Sequence, residues 1–481
     1  VLERHDEAMT AFRRAIEIDP NFVAAYSSLA HSMMQSCQWQ NLVAVTESVI
    51  ELTREEIKVS ANITTSPFNL LQLSAPGDVR LAAARQTALL HSTTAGRNVN
   101  LTAPDYPTPS NSRLRIGYLS PDFRSHSVGC AFQDLLEHHD RERFEIKGYY
   151  TGQNRDEVTE HLQTGFDDFT ELANIPFLEA ASRINTDGVD ILIDLAGHTR
   201  GSRFEILALK PAPVQAHFLG YGFTTGADYV DYLITDETTI PMAEQAFCTE
   251  QVIYLPHHSL PASKPKIADK YFNRDEFDLP EEAFVFADFN GHYKIDTDIF
   301  TTWMHILRKA PKAVLWLMDF GGESVSNLKR EAKARGVDPE RLIFAERRPN
   351  PEHLARLALA DLALDTYHHA GGVTTTDALW AGLPVLTILT DIMVDRTGAS
   401  LMRAARLPEM ITTSTDDYMK RALSYYHDRQ SLADLKAKLQ SQQQTAPLFD
   451  MPRFTRDLEA TLEKMWEKYQ KNPNSNIRAY A

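Results

Sequence analysis

The sequence predicts an α/β protein of two doubly wound domains preceded by a region of paired helices. Three observations carry this. Two apolar runs far apart, Leu114–Ser120 and Phe284–Phe289, break off abruptly into Gly, Asn and Ser, with His126 and Lys294 just beyond them. After each run, short apolar strands alternate with amphipathic helices, the pattern of a mostly parallel sheet covered on both faces. Before the first run, about the first 60 residues carry helical periodicity alone. Ligands of open α/β sheets bind in loops beyond strand ends. Two such loops in successive domains therefore suggest a cleft with a His on one wall and a Lys on the other, suited to moving a group off an anionic donor.

In chain order, residues 7–19 are helical by period, with Ala8, Phe12, Ala15 and Ile16 on one face and Pro20 as the stop. Ala24, Leu29 and Met33 mark a second helix, and a third covers about residues 40–52. The placement of Ala8, Ala15, Asp19-Pro20, Ala25-Tyr26 and Leu29-Ala30 resembles a tetratricopeptide repeat. One repeat cannot bury its own face, so a longer array is expected. Val1 falls in the middle of such a repeat, as in a fragment or processed form. A helix is expected over 77–95 and a polar linker over 98–113. Strands then follow at 114–119, 144–150, 189–195, 214–218, 230–235 and 251–255, with helices at 128–138, 154–163 and 202–209. In the second α/β segment strands fall at 284–289, 314–318, 342–345, 362–365 and 385–388, and helices at 297–309, 323–335, 351–360, 375–381 and 396–404. Residues 417–443 and 453–470 read as helical tails. The expected divisions are 1–60 repeat-like helices, 61–113 helical segment and linker, 114–270 and 271–445 the two α/β domains, and 446–481 a C-terminal helix and tail.

The 481 residues carry a net charge of -16, which argues against a general nucleic-acid binder. No apolar run is long enough to cross a bilayer. Cys37, Cys130 and Cys248 are too far apart for a disulfide framework or metal cluster, which suits a cytoplasmic protein.

Chemistry-bearing residues concentrate in the loops. Gly371 and Gly372 follow an apolar strand and give way to Thr374, Thr375 and Thr376 at a helix start, where free N–H groups and hydroxyls can hold an anion. Asp377, one turn in, can accept hydrogen bonds from ribose; the plainer alternative is a first-turn charge. Lys294, beyond Asn290-Gly291-His292, can neutralise a diphosphate. Asp296 and Asp298 form an Asp-x-Asp pair, read as helix caps, and no metal is assigned. His126 is placed to act as a base, to orient a substrate or simply to cap a helix. His198, in Ala196-Gly197-His198-Thr199-Arg200, also follows a strand and can serve the acceptor or leaving group.

Together Leu114–Phe123, Asp194–Arg203, Pro211–Ala216, Asp231–Asp236, Asn290–Asp296 and Asp377–Pro384 resemble, in order and spacing, the catalytic region of glycosyltransferase family 41. Within it they are most similar to the bacterial SPINDLY and O-linked N-acetylglucosamine transferase-like branch that carries tetratricopeptide repeats. The resemblance runs from about residue 5 to residue 470. It implies a GT-B fold of two Rossmann-like domains and metal-independent inverting transfer. The implied donor is a UDP-sugar, UDP-N-acetylglucosamine first, with no obligatory cofactor; the implied acceptor is a protein or peptide Ser/Thr, recruited through the repeats. It assigns His126 to the reaction, Lys294 to the diphosphate, Thr374 to a donor phosphate, Asp377 to the ribose and His353 to the base and sugar. The chain departs from the family at Gly222-Phe223, where Pro-Gly is usual, at Gly291 for Gln, at Gly372-Val373 for His-Thr and at Asn350 for Lys. Each departure removes or reshapes a donor contact. The alternatives are therefore a related transferase with another nucleotide sugar or a non-protein acceptor, or a degenerate binding scaffold. Oligomeric state is left open.

Overall fold

The computed structural model describes residues 5–59, 63–96, 113–389 and 396–472. The expected linker over 98–113 lies almost wholly outside them. Two all-parallel sheets form the frame. The first contains β1 (Leu114–Ser120), β2 (Phe144–Tyr150), β3 (Asp168–Glu171), β4 (Ile191–Asp194), β5 (Val214–Phe218), β6 (Tyr232–Thr235) and β7 (Gln251–Tyr254), in the order β3-β2-β1-β4-β5-β6-β7. The second contains β8 (Phe284–Asp288), β9 (Ala313–Met318), β10 (Leu342–Ala345), β11 (Leu362–Leu364), β12 (Val385–Ile388) and β13 (Ile411–Thr412), in the order β10-β9-β8-β11-β12-β13. The central strands β4, β5 and β8 are buried at every position, so apolar residues run along them without alternation.

The strand order positions the site. Each sheet starts at a central strand, runs outward on one side, then returns to continue on the other. The reversal falls between β1 and β4 in the first sheet, where Ile116 pairs with Ile191. In the second it falls between β8 and β11, where Phe286 pairs with Leu362. At such a point neighbouring loops diverge to opposite faces and leave a crevice at the carboxyl ends of the strands. His126 and His198 lie in the loops after β1 and β4; Asn290 and Lys294 follow β8, and Gly371–Thr375 follow β11.

The chain divides into two compact units. One gathers the N-terminal residues up to Leu52, Gln72–Ser74 and Lys264–Phe449, and so joins the first helices to the second sheet. The other holds Thr53–Leu71, Ala75–Ser263 and the chain from Asp450 onward. In the first unit, helices His5–Ile18 and Val23–Gln35 pack through Met9, Leu29 and Met33, against which Phe12, Ile16, Leu42 and Val45 close. In the second, the C-terminal helix Met451–Lys471 buries Met451, Phe454, Leu458, Leu462 and Met465 in the core formed by Ile116, Ile146, Ile193 and Ala216.

Several elements differ from expectation. The third helix continues to Val59 instead of ending near residue 52. Strand β3 and helix Phe177–Thr186 were not expected; β3 is a short edge strand whose residues are all at least partly exposed, so it carries no apolar run. The helix expected over 417–443 is two helices, Thr415–His427 and Arg429–Gln442, and the break is made by Asp428 accepting the Ser431 N–H at 3.0 Å.

Candidate functional site

In the unit of the second sheet, four of the residues expected to hold a donor share one cavity; Lys294, Gly371, Gly372 and Asp377 do not line it. Asn290, His353, Thr374 and Thr375 line one cavity with Asp288, Phe289, Leu357 and Asp365. The helix Val373–Trp380 begins at Gly372 with no side chain capping it, so its first N–H groups face the loop. Lys294 donates from Nζ to the Ala370 carbonyl at 3.0 Å, which brings the ammonium to the loop that opens this helix. Gly371 leaves room between this loop and its neighbours: a Cβ there would collide with the Thr375 hydroxyl and stand 3.0 Å from Asn290 Oδ1. A cation, a helix start and two hydroxyl-bearing residues thus meet at one loop, groups of the kind that hold a phosphorylated ligand.

His353 is half-buried and its state is set by its neighbour. Arg356, fully buried, directs Nη2 at His353 Nδ1 (2.8 Å) and Nη1 at the Glu346 carbonyl (2.7 Å). Its guanidinium lies over Phe289 and Trp316. An arginine only donates, so His353 Nδ1 must accept, and the ring proton sits on Nε2. Burial first, and then the Arg356 charge, push the His353 pKa down to about 4, so the ring is neutral at pH 7.

Beneath the cavity lie two carboxyl groups that sequence reasoning did not single out. Asp365 accepts from the Gly371 N–H (2.8 Å), the Thr366 N–H (3.0 Å) and the Thr387 hydroxyl (2.8 Å). Asp288 is bonded only through Oδ1, to the Asn290 N–H and side-chain amide, while its Oδ2 is buried without a partner. Burial raises both pKa values, and the Asp365 charge helps push Asp288 up to about 7. Asp365 has the donors to remain ionised; Asp288 takes the proton. The available signal was an acid at the end of each of two buried strands. Asp377 lies one turn into the helix, and burial pushes its pKa up to about 7.

Asp296 caps the helix Thr297–Lys309, accepting from the Asp298 and Ile299 N–H groups, as expected. It also pairs with His368 Nδ1 at 2.8 Å. Among the described residues no group of three or more His, Cys, Asp or Glu is arranged to hold a metal ion.

In the unit of the first sheet, His126 is exposed at the start of helix Ser127–Glu137 and caps it, Nδ1 accepting from the Val128 N–H at 3.3 Å. Asp122 Oδ2 is 3.6 Å from the same nitrogen. Burial lowers the His126 pKa more than the Asp122 charge raises it. His198 is buried: Nε2 faces the Thr225 carbonyl at 2.7 Å, and the ring meets Tyr221 edge-on at 5.2 Å. Burial pushes its pKa down to about 4. The loop that carries it turns at Gly197, where φ is +53° and whose N–H donates to Asp194 (2.6 Å). Asp194 also holds His217 Nδ1 at 2.8 Å, a buried pair not anticipated from the sequence.

The family model of glycosyl transferase family 41 matches residues 36–260 and 265–458. The chain is 33% identical over 462 residues to the probable UDP-N-acetylglucosamine--peptide N-acetylglucosaminyltransferase SEC of Arabidopsis thaliana, covering 91% of this chain and 46% of that protein. It is 26% identical over 553 residues to the UDP-N-acetylglucosamine--peptide N-acetylglucosaminyltransferase of Caenorhabditis elegans, covering 90% of this chain and 48% of that one. The chain thus spans about half the length of these curated relatives. Among solved structures, a mutant of the O-GlcNAc transferase of Thermobaculum terrenum superposes with a TM-score of 0.81 at 28% identity, covering 96% of this chain and 88% of that chain. The two Rossmann-like sheets are accordingly those of a GT-B fold, preceded by the N-terminal helices. With the family model matched across both α/β segments, the chain belongs to glycosyl transferase family 41.

Proposed function

We propose that this protein transfers a sugar, N-acetylglucosamine first among candidates, from a UDP-sugar to Ser or Thr hydroxyls of a protein acceptor, with inversion at the anomeric carbon. The observation that carries this reading is the convergence of Lys294 Nζ, the uncapped helix start after Gly372 and the cavity shared by Asn290, His353, Thr374 and Thr375. The printed activities of the Arabidopsis and Caenorhabditis relatives support the donor and the acceptor class.

On this reading Lys294 and the first N–H groups of the helix stabilise the charge that builds on the diphosphate as the glycosidic bond breaks. His353, neutral, offers its face to the base and its Nε2–H as a donor; Asp377 meets the ribose. The acceptor oxygen bonds the anomeric carbon from the face opposite the diphosphate as the bond to the phosphate oxygen breaks; UDP departs with that bond's electron pair, and the hydroxyl proton passes to solvent. In the cap geometry, His126 Nδ1 is occupied by the Val128 N–H, so the neutral ring carries its proton on Nε2. That favours His126 as a group that orients the acceptor over one that removes its proton. His198 ties its own loop to the one that carries Thr225. The N-terminal helices bring the protein acceptor. A cytoplasmic setting agrees with three cysteines that are all free thiols.

The test is transfer itself. The chain is incubated with a panel of UDP-sugars and an acceptor protein extract, and UDP release and acceptor mass are followed. Release with UDP-N-acetylglucosamine together with a matching mass gain is the expected result. Release with a different sugar would reassign the donor, and a folded, UDP-binding protein that transfers nothing would leave a binding scaffold.

A further inference from the structure

The turn that carries Lys294 is short and has little support of its own. It is a single 3-10 turn, His292–Lys294, opened by Gly291 with no side-chain cap. Internally it holds two bonds, the Lys294 N–H to the Gly291 carbonyl (2.9 Å) and the Ile295 N–H to the His292 carbonyl (3.0 Å). The buried His292 ring anchors one end of it, Nε2 facing the Met318 carbonyl at 2.8 Å and the ring edge-on to Phe320. Further support comes from far away in sequence. Trp39 donates its indole N–H to the Ile295 carbonyl at 3.1 Å, and Cys37 directs Sγ–H at the His292 carbonyl at 3.6 Å. These residues lie in the connector after the helix Val23–Gln35 of the repeat-like pair. The carbonyls on either side of Lys294 are therefore both gripped by that connector.

The connector is built for this contact. Its helix ends with the Gln38 N–H returning to the Met33 carbonyl at 2.9 Å, with Cys37 in the left-handed conformation at φ +53°. Glycine is the usual residue there; here the position carries a side chain, fully buried, that points at the turn. Asn327 holds the Ser36 carbonyl at 2.8 Å, and Trp39 packs on Phe300 with ring centroids 5.1 Å apart and under the Arg335 guanidinium. The connector is thus fixed to the α/β unit on two sides and presents donors on the third. All of these contacts lie within one compact unit.

We infer that Trp39, with Cys37, is a positioning residue for Lys294, so that the connector after the helix Val23–Gln35 sets the affinity of the site for the diphosphate of its ligand. The inference rests on the donor reading given above.

The test is a double-mutant cycle in the full chain. UDP binding is measured by calorimetry, and uridine binding by ligand-observed NMR, for the wild type, Trp39→Phe, Lys294→Ala and the double variant. Phe keeps a ring against Phe300 and removes the N–H together with part of the indole; a loss from packing alone would weaken UDP and uridine alike. Trp39→Phe is expected to weaken UDP roughly three- to tenfold, as for the loss of one hydrogen bond, to leave uridine unchanged, and to add nothing in the Lys294→Ala background. Cys37→Ala, which leaves the indole in place, is expected to weaken UDP by roughly twofold with uridine again unchanged. Equal weakening of UDP and uridine, the same factor with and without Lys294, or wild-type affinity in Trp39→Phe would each overturn the inference. Absence of UDP binding in the wild type would overturn the donor reading, and this inference with it.

Discussion

Replacing Asp288 by Asn should stabilise the protein at pH 8 and leave it nearly unchanged near pH 4. Asp288 is buried, its Oδ2 has no partner, and its only donors are the two N–H groups of Asn290. Its pKa rises from the ordinary 3.8 to about 7. The folded chain therefore holds a proton between those values that the unfolded chain has released, and stability falls as pH rises through the window. Below it both states are protonated and nothing is lost; above about pH 7 the loss is complete. At 1.36 kcal/mol for each tenfold change, the full loss is about 4 kcal/mol. Asn is neutral throughout, keeps an acceptor for Asn290 and supplies an amide donor near Asn290 Oδ1, itself buried without a partner. The assay is thermal unfolding of wild type and Asp288→Asn across pH 4 to 8. A rise in Tm of several degrees at pH 8 that shrinks toward zero at pH 4 is expected. An equal change at both ends, or a loss at pH 8, would refute the assignment of the proton to Asp288.

Other predictions concern the pocket. His353 should be neutral at pH 7 with its proton on Nε2, titrating near pH 4, because Arg356 donates to Nδ1; ring nitrogen NMR shifts read this directly, and Arg356→Met should give a mixture of tautomers. Gly371→Ala should weaken UDP binding at least roughly tenfold and cost about 1–3 kcal/mol of stability, since the new methyl meets the Thr375 hydroxyl and Asn290. Paired UDP titrations and melts check both effects.

The parts of this structure that announced themselves in the sequence are those where one residue's chemistry changes abruptly. Phe284–Asp288 is buried at every position and is followed at once by Asn290, Gly291 and Lys294, so strand end and loop were both visible. The Gly371-Gly372 turn and the Thr-rich helix start were visible for the same reason, as was the Asp296 cap. What stayed hidden depends on tertiary contact. Strand β3 is a partly exposed edge with no apolar run, and the break at Asp428 involves neither Gly nor Pro. Asp288 and Asp365 read as strand ends until the fold placed both beneath one cavity. Nothing in the sequence marks Trp39, whose bond to the Ile295 carbonyl spans 256 positions. His198 looked like a loop residue open to ligand, yet its ring is enclosed by His91, Phe204 and Tyr221.

The measurement that tests the account most directly is calorimetric titration of UDP into the wild-type chain and into Lys294→Ala. A charged amine lost from the diphosphate should weaken binding by roughly ten- to a hundredfold, as expected for a hydrogen bond to a charged group. Specific binding that falls by this factor in a folded variant is the predicted result. No binding by folded wild type, or equal binding by both proteins, would contradict a UDP-sugar site built around Lys294.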